Sequence, residues 1–172
     1  MRLLLSRCEV RSWSESDVAS LALHANNPAI WRNLRDGPPE PYTPDDARAY
    51  INQVSKQRRE TVFAITVDGA AVGSIGFTLG HNVERVSAEL GYWLAEPYWG
   101  RGITTEVVRA MTPLAIAEHG LTRVFALPFV GNAASCRVLE KAGFTLEARL
   151  RKSAKKMGRV TDQFLYAFVA PD

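Results

Sequence analysis

The sequence predicts a mixed α/β domain: a mostly antiparallel, twisted sheet with helices on both faces. Three observations carry that expectation. Apolar runs rich in β-branched residues end at turn signals, as Thr61 to Val67 ends at Asp68-Gly69. Helices follow the glycine turn Gly100-Arg101-Gly102 and the capping residue Asn132. The middle strands connect through tight turns, which excludes a regular doubly wound fold.

The elements follow in order. Leu3 to Val10 reads as a first strand. Ser14 caps a helix from about Glu15 to His24, and Asn26-Asn27-Pro28 breaks it. Prolines keep Asp36-Gly37-Pro38-Pro39-Glu40-Pro41-Tyr42 out of regular structure. Thr43 caps a helix that reaches about Gln57, with Pro44 at its favoured first position. After the hairpin at Asp68-Gly69, Ala71 to Leu79 returns, and Gly73 and Gly76 mark a bend or bulge. Arg85 to Leu94 is the next strand. A helix from about Thr104 to Glu118 places Ile103, Val107, Met111 and Leu114 on one face. Pro113 should kink it by removing a bond to the Arg109 carbonyl, and Gly120 ends it. Arg123 to Leu127 is a strand limited by Pro128. Gly143 closes the helix that Asn132 caps, and strands near Thr145 to Leu150 and Phe164 to Val169 finish the chain.

A length of 172 residues, 47% hydrophobic and 23% charged, is ordinary for one globular domain spanning 1–172. The formal net charge of +3 is well short of a nucleic-acid coat, so an anionic partner is to be sought in local clusters. Cys8 and Cys136 lie far apart with no secretory signature, which points to reduced thiols in a cytoplasmic protein. No stretch approaches the ~20 apolar residues of a membrane span. His24, His81 and His119 are scattered, so no metal site is indicated.

The most informative run is Glu89 to Glu106, ELGYWLAEPYWGRGITTE. A strand, Leu90 to Leu94, reaches an acidic-Pro-Tyr turn, then Gly100-Arg101-Gly102, then a helix. Glycines ahead of a helix let backbone approach a ligand without Cβ atoms in the way. The first helical N–H groups lack intrahelical partners and carry the positive end of the dipole. Together these make an anion site, most often for a phosphate or diphosphate. A plain tight connection stays open as a reading. A Rossmann dinucleotide loop fits poorly: Gly100-x-Gly102-x-x-Thr105 lacks the third glycine, and the loop falls mid-chain.

These residues resemble the GNAT superfamily of N-acetyltransferases, and more narrowly its RimJ/RimL-type branch. The superfamily's loop, Gln/Arg-x-x-Gly-x-Gly/Ala, falls here on Trp99-Gly100-Arg101-Gly102-Ile103-Thr104. Trp99 replaces the polar first position and Thr104 the final Gly or Ala. Asn132-Ala133-Ala134-Ser135 with Val138-Leu139-Glu140-Lys141-Ala142-Gly143-Phe144 resembles the family's N-x-x-S…LEKxGF segment. Gly158-Arg159-Val160-Thr161-Asp162-Gln163-Phe164-Leu165-Tyr166 resembles its G-R-x-x-D-x-x-x-Y hairpin. Pro41-Tyr42-Thr43-Pro44-Asp45-Asp46-Ala47 and Ala71-Val72-Gly73-Ser74-Ile75-Gly76 also fit, so the similarity spans nearly the whole chain.

The resemblance implies a fold with a splayed central strand pair and acetyl-CoA in the gap between the strand ending at Leu94 and that at Arg123 to Leu127. It implies that backbone groups of Trp93 and Leu94 pair with the pantetheine arm. Amides of Gly100, Arg101, Gly102, Ile103, Thr104 and Thr105 would hold the diphosphate, Trp99 would be a further cofactor-binding residue, and Asn132 and Ser135 would approach the pantetheine and thioester sulfur. No metal is implied. The acceptor would be a primary amine, on a protein N-terminus or a small molecule. A homodimer fits the resemblance; ribosome or nucleic-acid contact is open but not indicated.

Acetyl transfer needs the acceptor ammonium deprotonated, the carbonyl polarised and the thiolate released. Glu89, on the central strand, is the candidate base; pairing with a nearby cation in the sheet is its structural alternative. Many relatives place a tyrosine acid four residues after the Ser135 position, but here that residue is Leu139, so Ser135 is the candidate donor to the departing sulfur. Its alternative is a first-turn serine bonded to backbone. Trp31, Arg32, Tyr42 and Trp93 are acceptor-pocket candidates or packing aromatics. Arg149, Arg151, Lys152, Lys155, Lys156 and Arg159 form a basic cluster without an acid among them. It is a solvated face, or it steers an acidic acceptor, ribosomal RNA or the CoA phosphates. A degenerate acyl-CoA-binding module is the competing functional reading.

Overall fold

Eight strands are ordered β1-β2-β3-β4-β5-β6-β8-β7 in a computed structural model that describes residues 1–36 and 39–171. They are β1 (Arg2–Leu4), β2 (Glu9–Arg11), β3 (Val62–Val67), β4 (Ala70–Leu79), β5 (Ser87–Leu94), β6 (Arg123–Ala126), β7 (Thr145–Lys156) and β8 (Arg159–Val169). β5 and β6 run parallel, whereas β1–β2, β2–β3, β3–β4, β6–β8 and β7–β8 are antiparallel. The helices are α1 (Val18–Ala25), α2 (Pro28–Trp31), α3 (Pro44–Ser55), α4 (Ile103–His119) and α5 (Ala133–Lys141). The mixed, mostly antiparallel sheet is the fold class expected. The chain divides into two compact units, Met1–Gly76 with Tyr92–Ile103, and Phe77–Gly91 with Thr104–Asp172.

In the first unit, the segment read as one strand from Leu3 to Val10 is a hairpin. The Leu5 N–H donates to the Cys8 carbonyl at 2.9 Å, and the chain reverses through Ser6-Arg7. Polar residues at that point leave an alternating apolar run too short to continue. Ser14 and Thr43 cap as expected, each in a reciprocal box with the acid three residues on, Asp17 and Asp46. Asp17 is only 3% exposed and also accepts both Nη groups of Arg11 at 2.7 Å. Asn27, expected only as a breaker, caps the short α2 by accepting the Ala29 N–H at 2.8 Å. Within the irregular stretch before Tyr42, Gly37 and Pro38 lie outside the described residues. Asp68 (φ 50°) and Gly69 (φ 83°) make the hairpin turn. Opposite β3, the register passes from Ile65↔Gly73 to Thr66↔Ala71, so Val72 is the extra residue of a bulge. The core here joins Trp13, Val18, Leu21, Tyr42, Ile51 and Val54.

In the second unit, Val107, Val108, Met111, Val124 and Leu139 are fully buried. Leu114, expected on the buried face of α4, is 42% exposed and Ala115 is buried in its place. A residue four after Met111 stays nearer the stripe than one three after it when the stripe has already advanced by fours from Ile103. Pro113 lies inside α4 on its exposed side. The final strands run further than expected and meet at Met157 (φ 49°) and Gly158 (φ 78°), a two-residue turn that the basic residues around it disguise.

Candidate active site

The turn from β5 into α4 is pinned at each step. The Ala95 N–H donates to the Val72 carbonyl at 2.7 Å, and a single tight turn follows through Glu96-Pro97-Tyr98. The Glu96 carboxylate accepts from the Asn27 carboxamide at 2.8 Å. Trp99 is 45% exposed, yet its indole N–H donates to the Leu94 carbonyl at 2.6 Å, which closes the turn on its own strand. Gly100 (φ 74°) and Gly102 (φ 78°) then take left-handed conformations that cost any other residue strain. No atom lies within 4 Å of where a Cβ on Gly100 would stand.

Two cations flank this turn. The Arg101 guanidinium stands 5.3 Å from the Tyr98 ring centroid, a cation–π contact that orients it. His24 packs perpendicular to Tyr98, with ring centroids 6.2 Å apart, and burial lowers its pKa. Arg7 was not among the sequence candidates. Its Nε is the nearest atom to a Cβ built on Gly102, at 3.7 Å. Only the β1–β2 hairpin, hidden in the sequence, brings it there.

Trp93 is half-buried and Leu94 buried at the end of β5. A Cβ on Gly73 would stand 2.5 Å from the Trp93 carbonyl oxygen, so glycine there permits the close backbone approach. Of the acceptor candidates, Tyr42 belongs to the core of this unit with Trp13, and Trp31 and Trp93 pack against it together with Tyr50; the sequence did not single out Trp13 or Tyr50. Burial pushes the Tyr42 phenol up to about 12. The Trp31 indole N–H bonds to the Ala25 carbonyl. Arg32 is exposed.

The remaining candidates lie in the second unit. Thr104 and Thr105 are half-exposed in the first turn of α4, and Ile103 before them is buried. Glu89 is half-buried on β5, its Cα opposite Phe125 of β6, the last pair in that register. The Asn132 side chain accepts the Ser135 N–H at 3.2 Å, so its oxygen caps α5. Ser135 is half-buried one turn into that helix. Beside it, burial pushes the Cys136 thiol up, so it is not an activated nucleophile at neutral pH. The Tyr166 hydroxyl donates to Glu140 at 2.8 Å and ties α5 to β8. Leu139 is fully buried, with no group that could act as an acid. Among the described residues, no group of three or more His, Cys, Asp or Glu side chains is arranged to hold a metal ion, and no helix is long and apolar enough to cross a membrane.

The sequence profile of the acetyltransferase (GNAT) domain matches residues 7–145. The chain belongs to the GNAT acetyltransferase family. It is 35% identical over 101 residues to the uncharacterized N-acetyltransferase YoaA of Bacillus subtilis (strain 168), a match over 58% of this chain and 56% of YoaA. The chain thus spans about half the length of that relative. Its fold is similar to that of the ribosomal-protein-S5-alanine acetyltransferase of Vibrio fischeri, at TM-score 0.87 and 19% identity over 98% of this chain and 96% of that one. It is similar also to RimL, a ribosomal L7/L12 α-N-protein acetyltransferase in complex with coenzyme A, at TM-score 0.84 and 24% identity over 97% and 96%. GNAT acetyltransferases use acetyl-CoA. The backbone at Gly100 is open where a side chain would stand, and the Arg7 and Arg101 guanidinium groups flank the turn.

Proposed function

We propose that this GNAT chain is an acetyl-CoA-dependent N-acetyltransferase acting on a primary amine, either a protein N-terminal α-amine or a small-molecule amine. The observation that carries the reading is the left-handed glycine turn directly ahead of the 17-residue α4, with Arg7 and Arg101 beside it. Similar folds described as acting on ribosomal proteins support a protein N-terminus as one acceptor class. Acetyl-CoA supplies an acyl group activated as a thioester. The backbone from Gly100 to Thr105 holds its diphosphate, and carbonyl and amide groups of Trp93 and Leu94 align its arm. Glu89 takes a proton from the acceptor ammonium, directly or through water, and frees the amine lone pair. Ser135 donates a hydrogen bond from its hydroxyl to the leaving sulfur. Attack is direct: burial pushes up the thiol of Cys136, next to Ser135, so that it does not serve as the nucleophile.

A second reading, an acyl-CoA-binding module without turnover, is favoured by Thr104 in place of Gly or Ala and by the buried Leu139. Incubation with acetyl-CoA and a panel of peptides and small amines separates the two by free-thiol release. Release with at least one amine is expected; CoA binding by calorimetry without release against any amine establishes the module. Glu89→Gln should lower kcat by about a hundredfold. That loss should be greatest at low pH, and an unchanged pH–rate profile removes Glu89 from the chemistry.

A further inference from the structure

We infer that the β7–β8 hairpin is a docking surface for an acidic, extended polypeptide segment. Resting on the proposed function, that segment is the part of a protein acceptor that follows its reacting amine. Charge is the first argument. Residues 149–159 carry six cations and no acid, in a chain whose formal net charge is +3, so the remainder is net acidic. The basic character of the whole protein is therefore concentrated on one hairpin.

Glu147, the acid nearest in sequence, pairs with Arg123, and Asp162 pairs with one of the six cations. Asp162 commits one carboxylate oxygen to Arg149 Nε at 2.7 Å and the other to the Lys152 N–H at 2.8 Å. Those bonds hold a bulge: the register passes from Leu150↔Gln163 to Ala154↔Thr161, so Arg151, Lys152 and Ser153 stand opposite Asp162 alone. Lys152 takes φ 53° there. The Ser153 hydroxyl donates to Gln163 Oε1 at 3.1 Å, and Gln163 Nε2 donates to the Leu127 carbonyl at 3.0 Å. Val130 and Phe164 add backbone bonds to Asp162 and Pro128. The bulge is thus anchored to the segment that runs directly into Asn132 and Ser135. Arg151, Lys152, Lys155 and Arg159 are exposed around it.

Two features favour a polypeptide over RNA. Met157 and Val160, 80% and 61% exposed, stand among the cations and suit side chains rather than phosphodiesters. β7 is also the last strand in the sheet order, so its outward edge can pair with an extended chain.

The test is fluorescence anisotropy with three labelled probes: a peptide of alternating Glu and Val, its Gln-for-Glu counterpart, and a single-stranded RNA of equal charge. The wild-type protein should bind the Glu peptide most tightly. The triple variant Arg151→Glu, Lys155→Glu, Arg159→Glu should bind it at least about tenfold more weakly and with a shallower salt dependence. A Gln series at the same positions, checked by circular dichroism, covers loss of folding in the first variant and should give an intermediate loss. No binding of the Glu peptide, equal binding of the Gln peptide, tighter binding of RNA, or unchanged affinity in both variants overturns the inference. Calorimetry with acetyl-CoA on the same proteins should show equal affinity across the series. Failure of the wild type to bind acetyl-CoA would sink the enzyme reading while leaving the anisotropy result to decide the docking surface.

Discussion

Two helices of this protein follow a strand and a turn, and they start differently. Before α4 stands Gly102, left-handed and without a side chain. Before α5 stands Asn132, whose side chain takes the Ser135 N–H. Every helix begins with donors that have no intrahelical partner. A capping side chain makes the helix self-sufficient, whereas glycine brings no acceptor of its own and leaves donors for an anion. The family resemblance marks both starts as cofactor-holding. The geometry separates them: a left-handed glycine stands before the first, where the proposed diphosphate seat lies, and the second is capped by Asn132, which accepts the Ser135 N–H.

The largest effect expected from that contrast is at the glycine turn. Gly102→Val puts a β-branched residue into φ 78° and toward Arg7. Loss of two charge-assisted hydrogen bonds at about 2 kcal/mol each predicts a roughly thousandfold fall in acetyl-CoA affinity by calorimetry. A fall of less than about tenfold would erase the distinction between the two starts. Ser135→Ala comes next. Its hydroxyl is not the group that Asn132 caps, so folding stability should change by less than about 0.5 kcal/mol while kcat falls about tenfold. An unchanged kcat makes the α5 start purely structural.

Asn132→Ala should cost about 1 kcal/mol by chemical denaturation, and Asn132→Asp should restore it. If acetyl-CoA affinity falls in both variants alike, the carboxamide also touches the donor and the contrast narrows. The smallest effect belongs to a third start, that of α3. The Thr43 hydroxyl and N–H hold the Asp46 carboxylate below its usual range. A lowered folded pKa stabilises above the unfolded value and is lost as pH falls through the folded one. The thermal midpoints of wild type and Thr43→Ala should therefore differ most at neutral pH and draw closer below about pH 4, leaving the contribution of the Asp46 N–H bond to the Thr43 hydroxyl. A gap of the same size in acid would show that the box works without the charge.

Legibility followed the range of the interactions. Caps at Ser14, Thr43 and Asn132, the turn at Asp68-Gly69 and the bulge beside Gly73 depend on neighbours a few residues away, and each could be read directly. The β1–β2 hairpin could not, because its reversal at Ser6-Arg7 lacks glycine or proline and its strands are three residues each. Arg7 beside Gly102 was invisible for the same reason. Tyr42 carried an aromatic that suits a binding wall or a core equally well, and its burial among α1 and α3 residues could not be read from the sequence. The length of β7 and β8 was masked by lysines and arginines that break the apolar alternation without breaking the strand.

By itself the sequence determined where helices begin and end, where the glycine turn lies, and the family to which the chain belongs, since caps, left-handed glycines and motif spacing are local. Tertiary structure alone decided which distant side chains meet: Arg7 at the glycine turn, Arg11 on Asp17, Gln163 between the β7 bulge and the segment before Asn132. Those meetings depend on strand register and packing, which sum many weak contacts over the whole chain and leave no mark in any short stretch of it.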